Sequence, residues 1–241
     1  MTIRRRIAVL LLFLMSACFL RQGQRYESFT VPVPLAPERC LVLGILGGRA
    51  RWDADNRWVR KTALALRERG VPVETVENSK KNLAMRLLRE AFDSNGDGSL
   101  DAREKHQSRL ILYGHSFGGA AAVALARRLQ EQSIPVRLLV RIDSVGFRDE
   151  TIPANVSRVA ALYQRNGWFV RGETALRLED SARTSAIGNW RYDYSDKAID
   201  VSDLSWFKRL FQTAHLKMGN DPEVWAKVDE LITVELERSG C

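Results

Sequence analysis

Residues 109–119 read Arg-Leu-Ile-Leu-Tyr-Gly-His-Ser-Phe-Gly-Gly, and an alanine-rich stretch, residues 120–130, follows at once. An apolar run, Gly-x-Ser-x-Gly and then a helix is the order that is typical of a nucleophilic serine in a very tight turn. Gly114 and Gly118 leave room around Ser116 because they lack side chains. The same pentapeptide also occurs in ordinary glycine-rich turns, so the flanking strand and helix are what favour a nucleophile here.

Apolar runs alternate with helical periodicity along most of the chain. The alternation predicts an α/β fold, a mainly parallel sheet with helices on both faces. A last helix is predicted from Asp221, its N-cap, through Pro222 to about residue 237. At 241 residues the chain suits one domain, expected over residues 40–241. The predicted strands are 40–46, 71–76, 109–113, 136–142 and 156–163, and the earlier predicted helices are 58–69, 82–92 and 120–130.

Residues 166–211 lack a clear period and carry several aromatic residues among glycines and charges. A long irregular segment in a compact domain is often a lid or a binding loop. A short amphipathic helix is expected within it around residues 206–211. The alternatives are that this segment packs against the body or that it forms a lid facing substrate or membrane.

Residues 1–17 predict an export signal. Arg4, Arg5 and Arg6 precede an apolar run that is too short to span a bilayer. Met-Ser-Ala-Cys then resembles a bacterial lipobox, in which Cys18 would be lipidated. We therefore expect an exported protein that is periplasmic or anchored to the membrane as a lipoprotein. Plain signal cleavage and an uncleaved anchor are the alternatives.

Residues 18–39 are polar and then rich in proline, which predicts a linker with an edge strand around residues 29–33. Cys40 precedes the first core strand and Cys241 ends the chain. The two cysteines could pair in an oxidising compartment. A buried free Cys40 and a loose Cys241 is the plainer interpretation, which we slightly favour from sequence.

The formal net charge is +8, from 37 basic and 29 acidic residues. The basic residues beyond the leader are scattered and form no block interleaved with aromatics. This distribution argues against nucleic-acid binding and indicates at most loose attraction to anionic surfaces.

A serine hydroxyl becomes a good nucleophile only when a base takes its proton. Where the nucleophilic serine lies in a tight turn between a strand and a helix, the base is a histidine that follows the serine and the carboxylate in the chain. The chain has three histidines. His106 precedes the serine, and His115 lies inside the turn with its ring expected to point away. His215 remains as the base, on a loop before the last helix.

Asp143 directly follows the predicted strand 136–142. Active sites of open parallel sheets gather at the carboxyl ends of the strands, so Asp143 is the expected carboxylate partner. A loop-capping role for Asp143 is the alternative, with Asp149 and Asp193 as weaker candidate carboxylates.

The oxyanion of an acyl-transfer transition state needs two backbone N–H donors. Phe117, the residue after the serine, is expected to supply one of them. Gly47, in the glycine-rich loop after the first core strand, is expected to supply the other.

Together, the strand, Gly114-His115-Ser116-Phe117-Gly118, Asp143 after the next strand and a late His215 resemble the α/β-hydrolase family. The resemblance covers roughly residues 40–237. It implies a serine esterase, lipase or thioesterase that cleaves a small-molecule or lipid ester through an acyl-enzyme. Leu43-Gly44 departs from the His-Gly pair common in that family. An acyltransferase or amidase with the same triad, and an inactive calcium-binding envelope protein, are the alternatives.

Residues 93–104 read Asp-Ser-Asn-Gly-Asp-Gly-Ser-Leu-Asp-Ala-Arg-Glu and resemble an EF-hand loop. Oxygen donors recur at the spacing that surrounds a Ca²⁺ ion, with glycine at the sixth position. Only residues 102–107 can form the helix that leaves the loop, and the sequence contains no second EF-hand motif to pair with it. We expect a structural Ca²⁺ and no organic cofactor, with a metal-free acidic turn as the alternative. The expected ligands are Asp93, Asn95, Asp97, Ser99, Asp101 and Glu104.

Overall fold

The computed structural model of the protein describes residues 23–167, 169–202 and 206–241, with residues 206–212 described by their backbone alone. The predicted export signal and the predicted lipidation at Cys18 lie outside these residues. Within the described ranges no helix combines the length and the apolarity that crossing a bilayer requires.

A six-stranded sheet forms the centre of the molecule. Its order is β2-β1-β3-β4-β6-β8, and every neighbouring pair runs parallel. Two short strands, β5 and β7, pair separately. In chain order the strands are β1 (Leu41–Leu46), β2 (Val73–Glu77), β3 (Leu110–His115), β4 (Val136–Ile142), β5 (Thr151–Ile152), β6 (Val156–Gln164), β7 (Arg177–Leu178) and β8 (Ser185–Tyr192).

Helices cover both faces of this sheet. They are α1 (Trp58–Glu68), α2 (Lys81–Phe92), α3 (Ala102–Gln107), α4 (Phe117–Glu131), α5 (Trp206–Asn220) and α6 (Pro222–Ser239). Helices α2 and α4 pack in one apolar cluster, and α1, α5 and α6 pack in a second. Strand β1 divides its buried side chains between the two clusters because successive residues point to opposite faces. The predicted mainly parallel α/β fold is therefore confirmed.

Every strand and helix predicted between residues 40 and 163 overlaps an observed element. The prediction for residues 166–211 was wrong in one respect, because this segment contains β8, an eight-residue edge strand of the main sheet. None of the residues of β8 is fully buried. The strand therefore shows neither the apolar run nor the strict alternation by which strands are recognised in a sequence.

The predicted edge strand at residues 29–33 is absent, and the described part of the predicted linker packs on the domain. Gln24 is buried and donates to the Thr75 carbonyl at 2.7 Å. The carboxylate of Glu74, on β2, accepts the N–H of Val31 at 2.9 Å. A side-chain donor, Gln24, and a side-chain acceptor, Glu74, thus bond to backbone groups that a strand would have paired in a ladder.

Cys40 and Cys241 form a disulfide, with their Cα atoms 5.5 Å apart. The plainer interpretation, two free cysteines, was therefore wrong. Helix α6 ends at Ser239 with Gly240 as its C-cap, and the Cys241 N–H donates to the Leu236 carbonyl at 3.0 Å. The last residue is thereby held beside the start of β1, a long-range proximity that no local pattern could indicate.

Candidate active site

Ser116 occupies the turn between β3 and α4, with φ 60° and ψ −129°. This backbone conformation is strained for a residue with a side chain, and its neighbours hold it in place. The Ser116 N–H donates to the Ile142 carbonyl at 2.9 Å, and its carbonyl accepts the Gly119 N–H at 3.0 Å. A Cβ on Gly118 would collide with the Ile45 carbonyl, so only glycine fits there.

Three residues distant in sequence form one hydrogen-bonded chain. His215 Nε2 lies 2.9 Å from Ser116 Oγ, and His215 Nδ1 lies 2.7 Å from Asp143 Oδ2. All three side chains are buried. A proton on Nδ1 bonded to the carboxylate leaves Nε2 free to accept the serine proton. The structure therefore brings together the three residues that the sequence predicted.

His215 lies inside helix α5, so its expected position on a loop was wrong. No proline or glycine interrupts residues 206–218, and the helix therefore continues to Asn220. Asp221 and Pro222 then begin α6 directly. A regular helix, rather than a loop, holds the candidate base over the carboxyl edge of the sheet.

Gln164, at the end of β6, was missed by the sequence analysis. Its backbone N–H donates to Asp143 Oδ1 at 3.2 Å, and its Nε2 donates to Asp143 Oδ2 at 3.0 Å. Gln164 Nε2 also bonds to the Val170 carbonyl, and Gln164 Oε1 accepts the Gly167 N–H at 2.8 Å. No local sequence signal identifies Gln164, because its burial and its place at the carboxyl end of the strand beside β4 appear only in the folded chain.

The two alternative carboxylates serve other contacts. Asp149 is buried and accepts the hydroxyl of Ser144 and not the histidine. Asp193 is exposed and accepts Asn166 Nδ2 at 2.9 Å and the Ser195 N–H at 2.8 Å. Neither contacts His215 in the described residues.

We expected from the sequence that the His115 ring points away from the site, and this prediction was wrong. The ring stacks on the His215 ring, with centroids 4.9 Å apart and planes 20° apart. Burial, followed by the nearby His215 and Arg57, holds the pKa of His115 well below its usual value. The ring is therefore neutral at pH 7 and supports His215 without adding a second charge. A Cβ on Gly219, one turn beyond His215, would lie 2.8 Å from the His115 ring.

Both predicted oxyanion donors lie beside the serine. Phe117 is the first residue of α4, where the backbone N–H has no partner within the helix. Gly47 follows β1, and a Cβ there would lie 2.9 Å from Ser116 Cβ. The absence of a side chain at Gly47 lets this loop approach the serine closely.

A cavity of about 370 Å³ opens over Ser116 and His215. Trp58 and Trp225, whose rings stack with centroids 6.2 Å apart, form part of its apolar wall. Such a cavity can hold a small organic substrate against the serine.

A family model for the thioesterase domain matches residues 96–150. The match includes Ser116 and Asp143 but not His215, and it covers less than a quarter of the chain. Together with the parallel sheet and the serine turn, it makes the chain α/β-hydrolase-like, with thioesterase-like character in the matched segment. No curated protein matches the chain in sequence.

Several solved structures are similar to this chain. An arylesterase is 10% identical with a TM-score of 0.46, and covers 90% of this chain and 83% of its own. The RedJ thioesterase of the prodiginine pathway in Streptomyces coelicolor is 14% identical with a TM-score of 0.38. The match covers 80% of this chain and 94% of the RedJ chain. The α/β serine hydrolase XC6422 of Xanthomonas campestris is 14% identical with a TM-score of 0.35. The match covers 86% of this chain and 87% of the XC6422 chain. Similarities this low carry no conclusion about activity.

The acidic loop, residues 93–104, connects α2 to α3. Asp93 Oδ1 accepts the N–H of Gly96 at 2.8 Å, and Asp93 Oδ2 accepts that of Gly98 at 2.8 Å. Asp101 caps α3 by accepting the Glu104 N–H, and Glu104 Oε2 accepts the Asp101 N–H in return, which makes a capping box. Of the predicted ligands, Asp93 and Glu104 are buried and the others are exposed.

The donor set of the acidic loop suits a hard cation, since carboxylate, amide and carbonyl oxygens are what Ca²⁺ binds. Its carboxylates do not converge, however. Within the residues that the structure describes, three ligand atoms of His, Cys, Asp or Glu side chains lie within 4.8 Å of one another at two places only. These are His115, Asp143 and His215, and Asp149, Glu150 and Glu173.

Proposed function

We propose that this protein is a serine hydrolase that cleaves carboxylic esters or thioesters through an acyl-enzyme. Ser116 is the nucleophile, His215 the general base and acid, and Asp143 the carboxylate that orients the histidine. The observation that carries the proposal is the continuous hydrogen-bonded chain from Ser116 Oγ through His215 to Asp143.

In the first half-reaction Ser116 Oγ bonds to the substrate carbonyl carbon while its proton passes to His215 Nε2. The carbonyl oxygen becomes an oxyanion that the N–H groups of Phe117 and Gly47 stabilise. His215 then returns the proton to the leaving alcohol or thiol as the bond between the carbonyl carbon and the leaving group breaks. The acyl group remains on Ser116.

In the second half-reaction a water molecule replaces the leaving group. His215 takes a proton from the water as its oxygen bonds to the acyl carbon, and the oxyanion forms again at the same donors. The proton returns to Ser116 Oγ as the acyl bond breaks, which releases the acid and restores the enzyme. Asp143 stabilises the imidazolium in both halves, and Gln164 keeps Asp143 in place.

The test is labelling of the folded protein with a fluorophosphonate, which reacts with activated serines. We expect labelling of the native protein and none of Ser116→Ala. Ser144→Ala, which removes a buried serine that does not contact His215, serves as the control and should still label. A native protein that stays unlabelled would favour an inactive hydrolase-like scaffold, and labelling that persists in Ser116→Ala would mean that another serine is the reactive one.

We also propose that the acidic loop binds a structural Ca²⁺ ion that orders the connection between α2 and β3. Its support is the order of oxygen donors and the two buried carboxylates, Asp93 and Glu104. The melting temperature should rise with Ca²⁺ and fall with EGTA, while Mg²⁺ at the same concentration does less. A melting temperature indifferent to Ca²⁺ would favour the metal-free acidic turn.

Export is proposed as well, on the predicted leader and on the disulfide between Cys40 and Cys241, since disulfides persist in oxidising compartments. Whether Cys18 carries a lipid is tested by metabolic labelling with a fatty-acid analogue in the native chain and in Cys18→Ser. Loss of the label in the variant is the expected result, and no label in either chain would favour plain cleavage.

A further inference from the structure

The cavity over Ser116 combines apolar walls with basic side chains. Trp58, Val59 and Trp225 supply apolar surface, and Arg49 and Arg57 lie at the same cavity. No acidic side chain lines it among the described residues. A neutral ester would require neither arginine.

Among the described residues, neither arginine has the acidic partner that neighbouring arginines have. Arg51 pairs with Asp53 at 2.9 Å, and Arg60 pairs with Asp55 at 3.2 Å. Arg49 and Arg57 form no ion pair and no side-chain hydrogen bond with any other residue in the described ranges. Arg57 is also partly buried, so its charge is less screened by solvent than that of an exposed arginine.

Two further features make this end of the cavity electropositive. Arg57 is the N-cap of the eleven-residue helix α1 and makes no capping bond through its side chain. Because Arg57, Trp58 and Val59 line the cavity, the partial positive charge of this helix N-terminus lies next to it. His115, which also lines the cavity, has a buried Nε2 that no described residue hydrogen-bonds. A polar substrate group would supply that missing bond.

We propose that the substrate carries an anionic group, a carboxylate or a phosphate, that Arg57 and Arg49 bind while Ser116 attacks the ester or thioester. The apolar part of the substrate then lies against Trp58 and Trp225. This inference rests on the proposed serine hydrolase function and adds the charge of the substrate to it.

Two matched substrate pairs test the proposal and distinguish the two positions of the anion. The first pair is p-nitrophenyl hemisuccinate and its uncharged near-isostere p-nitrophenyl isocaproate, which differ in the acyl group. The second pair is the butyryl thioesters of phosphopantetheine and pantetheine, which differ in the leaving group. We expect kcat/KM to be about tenfold higher for the charged member of at least one pair, as for a hydrogen bond to a charged group.

Arg57→Gln and Arg49→Gln should each reduce that preference. The loss should appear mainly in KM, and added salt should weaken the preference in the native protein. Arg51→Gln is the matched control, because it removes a nearby positive charge that Asp53 already neutralises, and it should keep the preference. If Arg57→Gln does not fold, Arg49→Gln carries the same comparison.

The outcomes separate this inference from the function on which it rests. Equal turnover of charged and uncharged members in both pairs, with labelling of Ser116 intact, would overturn the anionic substrate alone. If Arg51→Gln lost the preference for the charged substrate to the same extent, the proposal would also be overturned. The preference would then come from the net positive charge of this region and not from binding by Arg49 and Arg57. No turnover of any of the four substrates and no fluorophosphonate labelling would refute the hydrolase itself.

Discussion

The proposed triad of Ser116, His215 and Asp143 lies at the carboxyl edge of the sheet, which we call the catalytic edge. This edge and the acidic loop are both built from polar side chains around a tight turn, but they are held together differently. In the acidic loop the hydrogen bonds join residues at most ten positions apart, as between Ser94 and Glu104. At the catalytic edge they join His215 to residues 72 and 99 positions away. The loop is a local structure, whereas the triad exists only after the sheet and α5 have packed.

This difference indicates where each region is sensitive. The acidic loop closes on its own backbone, so a substitution there acts on local stability. The catalytic edge depends on the relative positions of β3, β4, β6 and α5, so a substitution there changes the rate through sub-ångström displacement. Substitutions in the two regions should therefore differ in their effects on rate and on stability.

Asp143→Asn should produce the largest effect. The amide keeps the shape but loses the charge that stabilises the imidazolium and selects the Nδ1 proton, so kcat should fall by about 10⁴. The measurement is kcat on p-nitrophenyl butyrate, with the melting temperature determined alongside. Asp196→Asn, an exposed aspartate away from the site, is the control. A loss of less than tenfold would mean that another carboxylate orients His215.

The same substitution, glycine to alanine, should have different effects in the two regions. In Gly118→Ala the new Cβ would overlap the Ile45 carbonyl, so Ser116 must shift and the rate should fall by about 100-fold. In Gly96→Ala no atom lies within 4 Å of the new Cβ, and only the φ of +75° costs energy, about 1–2 kcal/mol of stability. Rates and urea unfolding of both variants test this contrast, which similar rate losses would refute.

Gln164→Met should act on catalysis without touching the substrate. The side chain keeps its length but loses the hydrogen bond to Asp143 Oδ2, so the triad loosens and kcat should fall by about tenfold to 100-fold. KM should change little, because Gln164 does not line the cavity. A rise in KM at constant kcat would instead place Gln164 in substrate binding.

Glu104→Gln should leave kcat within error and lower the free energy of unfolding by about 1–3 kcal/mol. Burial alone would raise the pKa of Glu104, but the N–H groups of Asp101, Ser94 and Asn95 and the Ser94 hydroxyl hold it below its usual value. A depressed pKa means that the stabilisation is present at neutral pH and is lost as pH falls through the folded-state value. Urea unfolding at pH 7 and in acid should therefore show the two proteins converging in acid. A difference that persists in acid would contradict this account.

Much of the fold could be predicted because its central strands are apolar runs. Strands β1, β3 and β4 are almost wholly buried, so their composition alone identifies them. Strand β8 was missed because an edge strand that is half exposed carries no such run. Helix α5 was predicted too short because its second half, which carries His215, has no strong apolar period.

In the candidate site, too, some residues could be predicted from local sequence and others could not. Ser116 follows from a local turn motif, and His215 follows from the scarcity of histidines, since the chain has only three. Gln164, the stacking of His115 on His215 and the disulfide of Cys40 with Cys241 had no local signature. Each of them depends on which strands become neighbours.

The alternation of strands and helices, the serine turn, the three candidate triad residues and the acidic loop could all be recognised in the sequence alone. These features depend on side-chain volume, backbone freedom and short-range hydrogen bonds, which neighbouring residues specify. The packed structure was needed to show that His215 approaches Ser116 from a helix and that Gln164 anchors Asp143. It was also needed to show that Arg49 and Arg57 lie at one cavity without an ion-pair partner among the described residues. The reason is physical: such contacts form only when distant segments are packed on the same sheet, and no stretch of the chain contains both partners.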